Sequence, residues 1–201
     1  MKVSEAVKIT GSMTRTSKMP GLSYSLPAWE CQVGAKLRTV KGSVCSGCYA
    51  LKGNYTRYPA IKAAQYYRLQ SLYNPQWIPA MVAQIKRQKY FRWHDAGDLQ
   101  SVQHLKNIFE VCNRTPGTKH WLPTREVRYT RLMDPALVPT NLKIIISDHM
   151  IDQETPVKSW PFTSGVSTKS ATCPAPSQGG KCGSCRQCWD RNVARVVYGK
   201  H

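Results

Sequence analysis

The chain of 201 residues carries 29 Lys and Arg against 11 Asp and Glu, which gives a formal net charge of +18. Such a charge is unusual for a metabolic enzyme of this size and indicates a polyanionic partner, with nucleic acid favoured over a basic surface without a dedicated partner. The sequence has no run of about 18 apolar residues and no apolar segment near its amino terminus, so we expect neither a membrane span nor a signal peptide. In the cytoplasmic protein that we therefore expect, eight cysteines indicate metal ligation rather than disulfides.

The first part of the chain is predicted to contain an irregular arm followed by two helices. Residues 1–30 mix Gly, Ser, Pro and Thr with little periodicity, which predicts an irregular arm that covers a site. Residues 58–73 and 74–88 each show apolar side chains at helical spacing, which are Ile61, Ala64, Tyr67 and Leu72, and then Ile78, Met81, Val82 and Ile85. This spacing predicts two amphipathic helices.

Strands and helices are predicted to alternate between residues 90 and 150. The segments are a strand at "YFRW", a helix at "SVQHLKNIFEVCNR" with Ser101 as its N-cap, a strand at "TKHWLPTRE", a short helix at "VRYTRLM" and a strand at "NLKIIISDHM". This order predicts an α/β fold, a compact partial (β/α) barrel of parallel strands, with functional groups on the loops after the strands. The polar side chains at these ends are Asp95, Asp98, Thr124, Arg125, Glu126, Ser147, Asp148 and His149.

Several of these side chains have a functional and a structural interpretation. Asp95 and Asp98 are candidate catalytic carboxylates, or they terminate a turn and cap the following helix. Arg125 and Glu126 bind a phosphate or a ribose of a cofactor, or they form an ordinary surface pair. Both interpretations stay open for each pair at this point.

The histidines also have a functional and a structural interpretation. His149 beside Asp148 suggests an acid/base couple, with Asp148 as a candidate catalytic group, although a lone histidine is more often a structural residue. We expect His104 and His120 to be structural.

Basic and aromatic residues alternate shortly after the first cysteines. Lys52, Arg57, Tyr58 and Lys62 belong to this stretch, and such a mixture is typical of surfaces that stack bases and bind phosphates. We therefore predict that these four residues contact nucleic acid.

The end of the chain forms a second cysteine-rich region. Residues 152–181 are rich in Pro, Ser, Thr and Gly and predict an extended linker, which divides the chain into an α/β core at 1–150 and a cysteine segment at 151–201. The ligands predicted there, spaced C-x8-C-x2-C-x2-C, are Cys173, Cys182, Cys185 and Cys188. Four thiolates at this density ligate a [4Fe–4S] cluster, which the spacing favours, or a zinc ion.

Three further cysteines, Cys31, Cys45 and Cys48, have the spacing C-x13-C-x2-C. Three thiolates leave one iron of a [4Fe–4S] cluster free to bind another ligand. The alternative is a zinc site completed by a histidine or by Cys112. Because Cys112 lies on the apolar face of a predicted helix, we expect it to be a buried core thiol.

The "C...CSGCYA" pattern, the "DL" after the first predicted strand and "LPTRE" after the next resemble compact phage proteins related to radical S-adenosylmethionine (SAM) enzymes. The sequence is most similar to the phage gene product 88 family. The resemblance implies that Cys31, Cys45 and Cys48 hold a [4Fe–4S] cluster whose open iron binds SAM, while Tyr49 packs on the adenine. It spans about residues 31–150, and the tail resembles a segment that holds an auxiliary cluster.

The stretch "HDAGDLQS" is also similar to a motif of tRNA-guanine transglycosylases and of the phage enzymes that insert deazaguanines into DNA. This resemblance implies a barrel with a structural zinc at the carboxy-terminal cysteines. It also implies that Asp95 is the general base and Asp148 the nucleophile.

The leading hypothesis is an iron–sulfur, radical-SAM-like phage enzyme that carries two [4Fe–4S] clusters and modifies a nucleic acid or a nucleotide in the cytoplasm of the infected host. One alternative is a base-exchange enzyme with structural zinc. The other is a metal-stabilised nucleic-acid-binding protein that is not an enzyme and in which every cysteine is structural.

Overall fold

The computed structural model describes residues 1–154 and 160–200 and shows an α/β fold. The α-helices of this described part are α1 (Val3–Thr10), α2 (Gln32–Leu37), α3 (Asn54–Arg57), α4 (Pro59–Ser71), α5 (Trp77–Ile85), α6 (Val102–Asn113) and α7 (Val127–Thr130). The strands are β1 (Leu22–Tyr24), β2 (Tyr90–Trp93), β3 (Lys119–Thr124), β4 (Leu142–Ile151), β5 (Thr163–Ser167) and β6 (Arg195–Gly199).

The strands form one sheet in the order β1-β2-β3-β4-β5-β6, and every neighbouring pair is parallel. Because spatial order follows chain order and the sheet does not close, the architecture is that of a partial (β/α) barrel, as predicted. Short segments cover both edges: Thr14 bridges Ser23 in β1, and the amides of Thr172 and Cys173 donate to Val197 O in β6. All strand carboxyl ends therefore lie at one end of the sheet, where ligands of open α/β sheets bind.

One face of the sheet packs against the helices, and we call it the helix-covered face. Its main cluster includes Phe91 and Trp93 from β2, Leu122 from β3 and Ile144 from β4, packed against α5 and α6. Helix α6 begins at the predicted place because the Ser101 hydroxyl accepts a hydrogen bond from the His104 amide. The predicted helices and strands between residues 58 and 150 are confirmed, and so is the complete burial of Cys112.

The opposite face is covered by the end of the chain, and we call it the tail-covered face. Trp121 and Ile145 pack there against Trp189, whose indole Nε1 donates to Phe91 O at 2.9 Å. Lys143 also points to this face, and its Nζ donates to the carbonyl oxygens of Gln187, Asp190 and Val193 at 2.7–2.8 Å. A buried lysine ammonium group thus fixes the backbone on both sides of the last cysteine, Cys188.

Two sequence-based expectations about irregular segments were wrong. Residues 1–30 contain α1 and the first strand of the sheet, and the stretch 152–181 contains β5. Part of the second stretch, residues 155–159, lies outside the described residues. These strands have three and five residues and are held by pairing with β2, β4 and β6. Apolar periodicity over such short strands is too weak a signal to predict them from the sequence.

The apolar stripe predicted for the first of the two helices is not its buried face. Ile61 and Tyr67 of α4 are 37% and 47% exposed, whereas the buried side chains include Gln65 and Arg68. Arg68 Nη1 donates to Ser25 Oγ at 2.9 Å, so hydrogen bonds as well as the apolar packing of Leu69 join α4 to the sheet. No helix in the described part of the chain is both long and apolar enough to cross a membrane.

Candidate functional site

The loop after β1 carries the first three cysteines, and we call residues 31–51 the cysteine loop. Cys31 precedes α2, Cys45 lies in the 3₁₀ turn Val44–Gly47, and Cys48 follows that turn. A Cβ atom on Gly34 would lie 3.7 Å from the sulfur atoms of both Cys31 and Cys45 and only 2.9 Å from Cys31 Cβ. Glycine at this position therefore keeps the space between two thiols open.

The thiols of this loop influence one another. Burial raises the pKa of Cys31, and Asp98, Cys48 and Cys45 raise it further, while Arg38 opposes the rise. Burial also raises the pKa of Cys45, against the opposing charge of Arg125. Grouped thiolates at a half-buried position repel one another, and a bound metal centre would offset that repulsion.

Glu126, a predicted cofactor ligand, lies instead behind the cysteine loop. Its side chain is fully buried, and Oε1 accepts hydrogen bonds from the amides of Gln32 and Val33 at 3.0 and 2.7 Å. These amides belong to the first turn of α2, directly after Cys31, where a negative charge is favourable. Glu126 thus positions Cys31 through the backbone.

Asp98 joins the loops after β2 and β3. Its Oδ1 accepts from the Thr124 hydroxyl at 2.6 Å, and its Oδ2 accepts from the Arg125 amide at 2.9 Å. Burial raises the pKa of Asp98 to about 6, although these hydrogen bonds lower it. The preceding Gly97 has φ +79°, and a Cβ there would lie 2.8 Å from Leu26 O, so only glycine lets the "HDAGD" loop pack on the chain after β1.

Asp95 connects the "HDAGD" loop to the aromatic side chains after Cys48. Its backbone oxygen accepts a hydrogen bond from the Tyr49 hydroxyl, and Oδ2 accepts from the Tyr55 hydroxyl at 2.9 Å. Oδ1 is buried and has no hydrogen-bond partner among the residues described. Tyr49 itself is 52% exposed, so the cysteine loop carries an aromatic ring that is open to a ligand.

Asp148 and His149 lie in β4 where its register with β5 shifts between Ser147 and Ile151. The Asp148 carboxylate forms an ion pair with Arg195 of β6 at 2.6 Å, and its backbone oxygen accepts from Arg125 Nε at 3.0 Å. Burial lowers the pKa of His149. The structure therefore gives Asp148 a contact that stabilises the sheet, while Arg125 links the ends of β3 and β4.

The last four cysteines form the cysteine segment, residues 173–189. The Cys182 amide donates to Lys18 O at 2.8 Å, and Cys188 Sγ lies 3.3 Å from the Tyr198 hydroxyl. Burial raises the pKa of Cys182, and Cys173 and Cys185 add to this effect. Cys173, Cys182 and Cys185 are therefore near enough for their charges to interact, while the ligand set of four cysteines stays a prediction.

Neither cysteine group has the geometry of a single-ion site. Among residues 1–154 and 160–200, no group of three or more His, Cys, Asp or Glu side chains is arranged to hold one metal ion. One zinc ion requires every sulfur at about 2.3 Å from the same point. An iron–sulfur cubane differs in its donor set, because its cysteines ligate different irons.

The predicted nucleic-acid contacts follow the cysteine loop on the surface. Lys52, Arg57 and Lys62 are exposed, and Tyr58 is 49% exposed. Lys62 Nζ lies 5.1 Å from the ring centre of Trp29. Basic and aromatic side chains therefore share one exposed stretch that begins three residues after Tyr49.

Sequence reasoning missed Gly34 and Lys143, which position the two cysteine groups, and Arg92, whose guanidinium lies 4.5 Å from the ring centre of Trp121. Gly34 is two residues from Cys31 in "CQVG", which gave a weak signal. Lys143 and Arg92 interrupt apolar strand sequences, and a charge inside a buried strand is a usable signal of a specific role.

The fold and the two cysteine groups define an α/β protein with an open parallel sheet and thiol-rich loops on it. The model of the family described as Gene product 88 matches residues 2–191, so the chain belongs to that family, as the sequence analysis indicated. This membership supports a phage protein. No curated protein and no solved structure is significantly similar to the chain.

Proposed function

We propose that this protein is an iron–sulfur enzyme, similar to radical SAM enzymes, that modifies a nucleic acid or a nucleotide. The observation that carries the proposal is the position of Cys31, Cys45 and Cys48. They lie on the loop after the first strand of a parallel sheet whose six strands follow chain order. Radical SAM enzymes place three cluster cysteines on one loop, and this sheet end is where open α/β folds bind ligands.

The residues around the cysteine loop support binding of a cluster with one open iron. Glu126 holds the first turn of α2, and Arg38 Nη2 donates to Ala28 O at 2.6 Å and to Trp29 O at 3.1 Å. Both contacts fix the chain on either side of Cys31. When bound, a [4Fe–4S] cluster with three cysteine ligands would supply an electron and an open coordination position for SAM.

The neighbouring side chains suit the organic part of such a cofactor or its substrate. Tyr49 presents an exposed ring beside Cys48, a suitable surface for an adenine. Asp95 Oδ1 is a buried acceptor to which a ribose hydroxyl or an amino group would donate, and Asp98 fixes the loop that carries it. The exposed Lys52, Arg57, Tyr58 and Lys62 would bind a nucleic-acid strand next to this site.

Anaerobic purification followed by addition of SAM tests the proposal. We expect a brown protein with about eight iron atoms and matching sulfide per chain. SAM should change the electron paramagnetic resonance spectrum of the reduced protein, and reduction with SAM should yield 5′-deoxyadenosine. An unchanged spectrum and no deoxyadenosine, with intact clusters, would contradict SAM chemistry.

The alternatives predict other results. Stoichiometric zinc without iron after anaerobic reconstitution would favour base exchange or a metal-stabilised nucleic-acid-binding protein. The ion pair between Asp148 and Arg195 gives the carboxylate of Asp148 a structural partner, which weakens the argument for Asp148 as a nucleophile. Deazaguanine incorporation into DNA, lost in Asp148→Asn and retained in Glu110→Gln, would reverse that conclusion.

Binding to single-stranded DNA or RNA tests the nucleic-acid part of the proposal separately. If about five phosphates are neutralised, the logarithm of the association constant should fall with the logarithm of salt concentration with a slope of about −3.5. Lack of binding at about 50 mM salt would contradict a nucleic-acid substrate and leave a small molecule.

A further inference from the structure

Arg92 is a charged residue on the tail-covered face of the sheet. It alternates in β2 with Phe91 and Trp93, which point to the helix-covered face. The Arg92 guanidinium lies 4.5 Å from the ring centre of Trp121, its register partner in β3. Stacking on an indole fixes the plane of the guanidinium and leaves its N–H groups directed outward around the ring edge.

This guanidinium lies between the two cysteine groups. On one side, Nη2 is 3.5 Å from the hydroxyl of Tyr49, which directly follows Cys48. On the other side, the Trp121 ring on which Arg92 stacks packs against Trp189, with ring centres 5.2 Å apart. Trp189 directly follows Cys188 of the cysteine segment. Any group that binds Arg92 would therefore be near both cysteine groups.

The N–H donors of Arg92 have weak acceptors. Nη1 reaches Met19 Sδ at 3.4 Å, a weak acceptor, and the contact of Nη2 with Tyr49 is at the upper limit for a hydrogen bond. Nε is buried and has no hydrogen-bond partner in the described part of the chain. Asp95 acts on the guanidinium only at longer range, because no carboxylate oxygen of a described residue lies within 4.0 Å of it.

A half-buried guanidinium whose N–H donors lack strong acceptors lowers the stability of the fold unless an anion accepts hydrogen bonds from it. We propose that Arg92 binds a phosphate group of the substrate between the two cysteine groups. The inference deepens the proposed function and rests on its nucleotide or nucleic-acid substrate. Phosphate is favoured over a carboxylate because the protein carries a net charge of +18 and because exposed Tyr49 beside Arg92 offers a ring on which a base can stack.

The test compares Arg92→Gln, Arg92→Lys and Arg87→Gln in binding a short fluorescein-labelled single-stranded DNA, followed by fluorescence anisotropy. Arg87 is exposed after α5 and provides the matched control, because its replacement removes the same charge. We expect Arg92→Gln to weaken binding about tenfold, since a bidentate charged contact is lost. Arg92→Lys should weaken it about threefold, and Arg87→Gln less than twofold.

Binding of SAM, followed by calorimetry, distinguishes the source of the anion. Weaker DNA binding with unchanged SAM binding in Arg92→Gln supports the phosphate site. Weaker SAM binding alone would show that Arg92 holds the carboxylate of the cofactor and would overturn the proposal. Equal weakening of DNA binding in Arg92→Gln and Arg87→Gln would also overturn it, because charge alone would then explain the loss.

A measurement on the unmodified chain covers the case in which Arg92 variants fold poorly. Phenylglyoxal modifies accessible arginines, and mass spectrometry locates the modified residues. We expect the DNA to protect Arg92 and to leave Arg87 reactive, whereas unprotected Arg92 at saturating DNA would overturn the proposal. Iron content and deoxyadenosine formation report on the proposed chemistry independently, so the failure of that chemistry is distinguishable from the failure of the phosphate site.

Discussion

The cysteine loop and the cysteine segment place similar ligands in different surroundings. The loop is held by a carboxylate, since Glu126 accepts hydrogen bonds from the two amides after Cys31, and it carries the exposed ring of Tyr49. The segment is held on the sheet by the Lys143 ammonium group and by the Trp189 side chain, which packs against Trp121 with ring centres 5.2 Å apart. The loop is thus accessible at the sheet end where ligands bind, whereas the segment is anchored to a buried face. The difference suits substrate chemistry at the loop and an auxiliary or structural metal at the segment.

The largest effect that would sharpen this comparison is loss of one metal centre. Cys48→Ser should reduce the iron of anaerobic preparations from about eight to about four atoms per chain and should abolish deoxyadenosine formation. Cys112→Ser is the matched control, because that thiol is buried among apolar side chains of α6 and should not ligate metal. Equal iron loss in both variants would remove the distinction between ligand and core cysteines.

Replacement of Lys143 tests the anchor of the cysteine segment. Lys143→Met leaves three carbonyl oxygens without their donor, so the free energy of unfolding should fall by about 3 kcal/mol in denaturant titrations. Iron should be lost from the segment while the loop retains its SAM-dependent spectrum. Lys106→Met, on the exposed side of α6, should change neither property. Full iron content in Lys143→Met would show that the segment does not depend on this anchor.

Asp98 should make the free energy of unfolding depend on pH. Its pKa is raised to about 6, so between about pH 4 and pH 6 the folded protein retains a proton that the unfolded chain has released. The contribution of Asp98 to the free energy of unfolding is therefore greatest at low pH. It falls as the pH rises from about 4 to about 6, by at most about 1.4 kcal/mol per pH unit. Unfolding measured across this range should lack that contribution in Asp98→Asn and keep it in Glu110→Gln. Parallel curves for Asp98→Asn and the unmodified protein would contradict the assignment.

The smallest effect is expected at Glu126. Glu126→Gln keeps an oxygen acceptor for the amides of α2 and removes only the negative charge, so stability should fall by about 1 kcal/mol. Because Cys31 directly precedes the two amides that Glu126 binds, reconstituted iron should be bound more weakly at the loop and unchanged at the segment. A chelator competition that releases iron from both groups at the same rate as in the unmodified protein would refute a positioning role.

The sequence was sufficient for the middle of the fold. The N-cap at Ser101 and the apolar pattern of α6 are local signals, and β2, β3 and β4 are separated by helices with their own periodicity. The candidate site was partly predictable for the same reason. Close cysteine spacing is visible in the sequence, and residues after parallel strands meet at one sheet end whatever the details of packing.

The tertiary structure alone decided the remaining strands and the roles of the charged side chains. β1, β5 and β6 are strands because neighbours pair with them, and α4 buries Arg68 because acceptors from other segments surround it. Glu126 supports Cys31 from 95 positions later in the chain, Lys143 binds carbonyls of the tail, and Arg92 lies between two cysteine groups. Composition and periodicity describe which residues are apolar or charged, but the energy of a buried charge depends on partners distant in sequence, and only the folded chain brings those partners together.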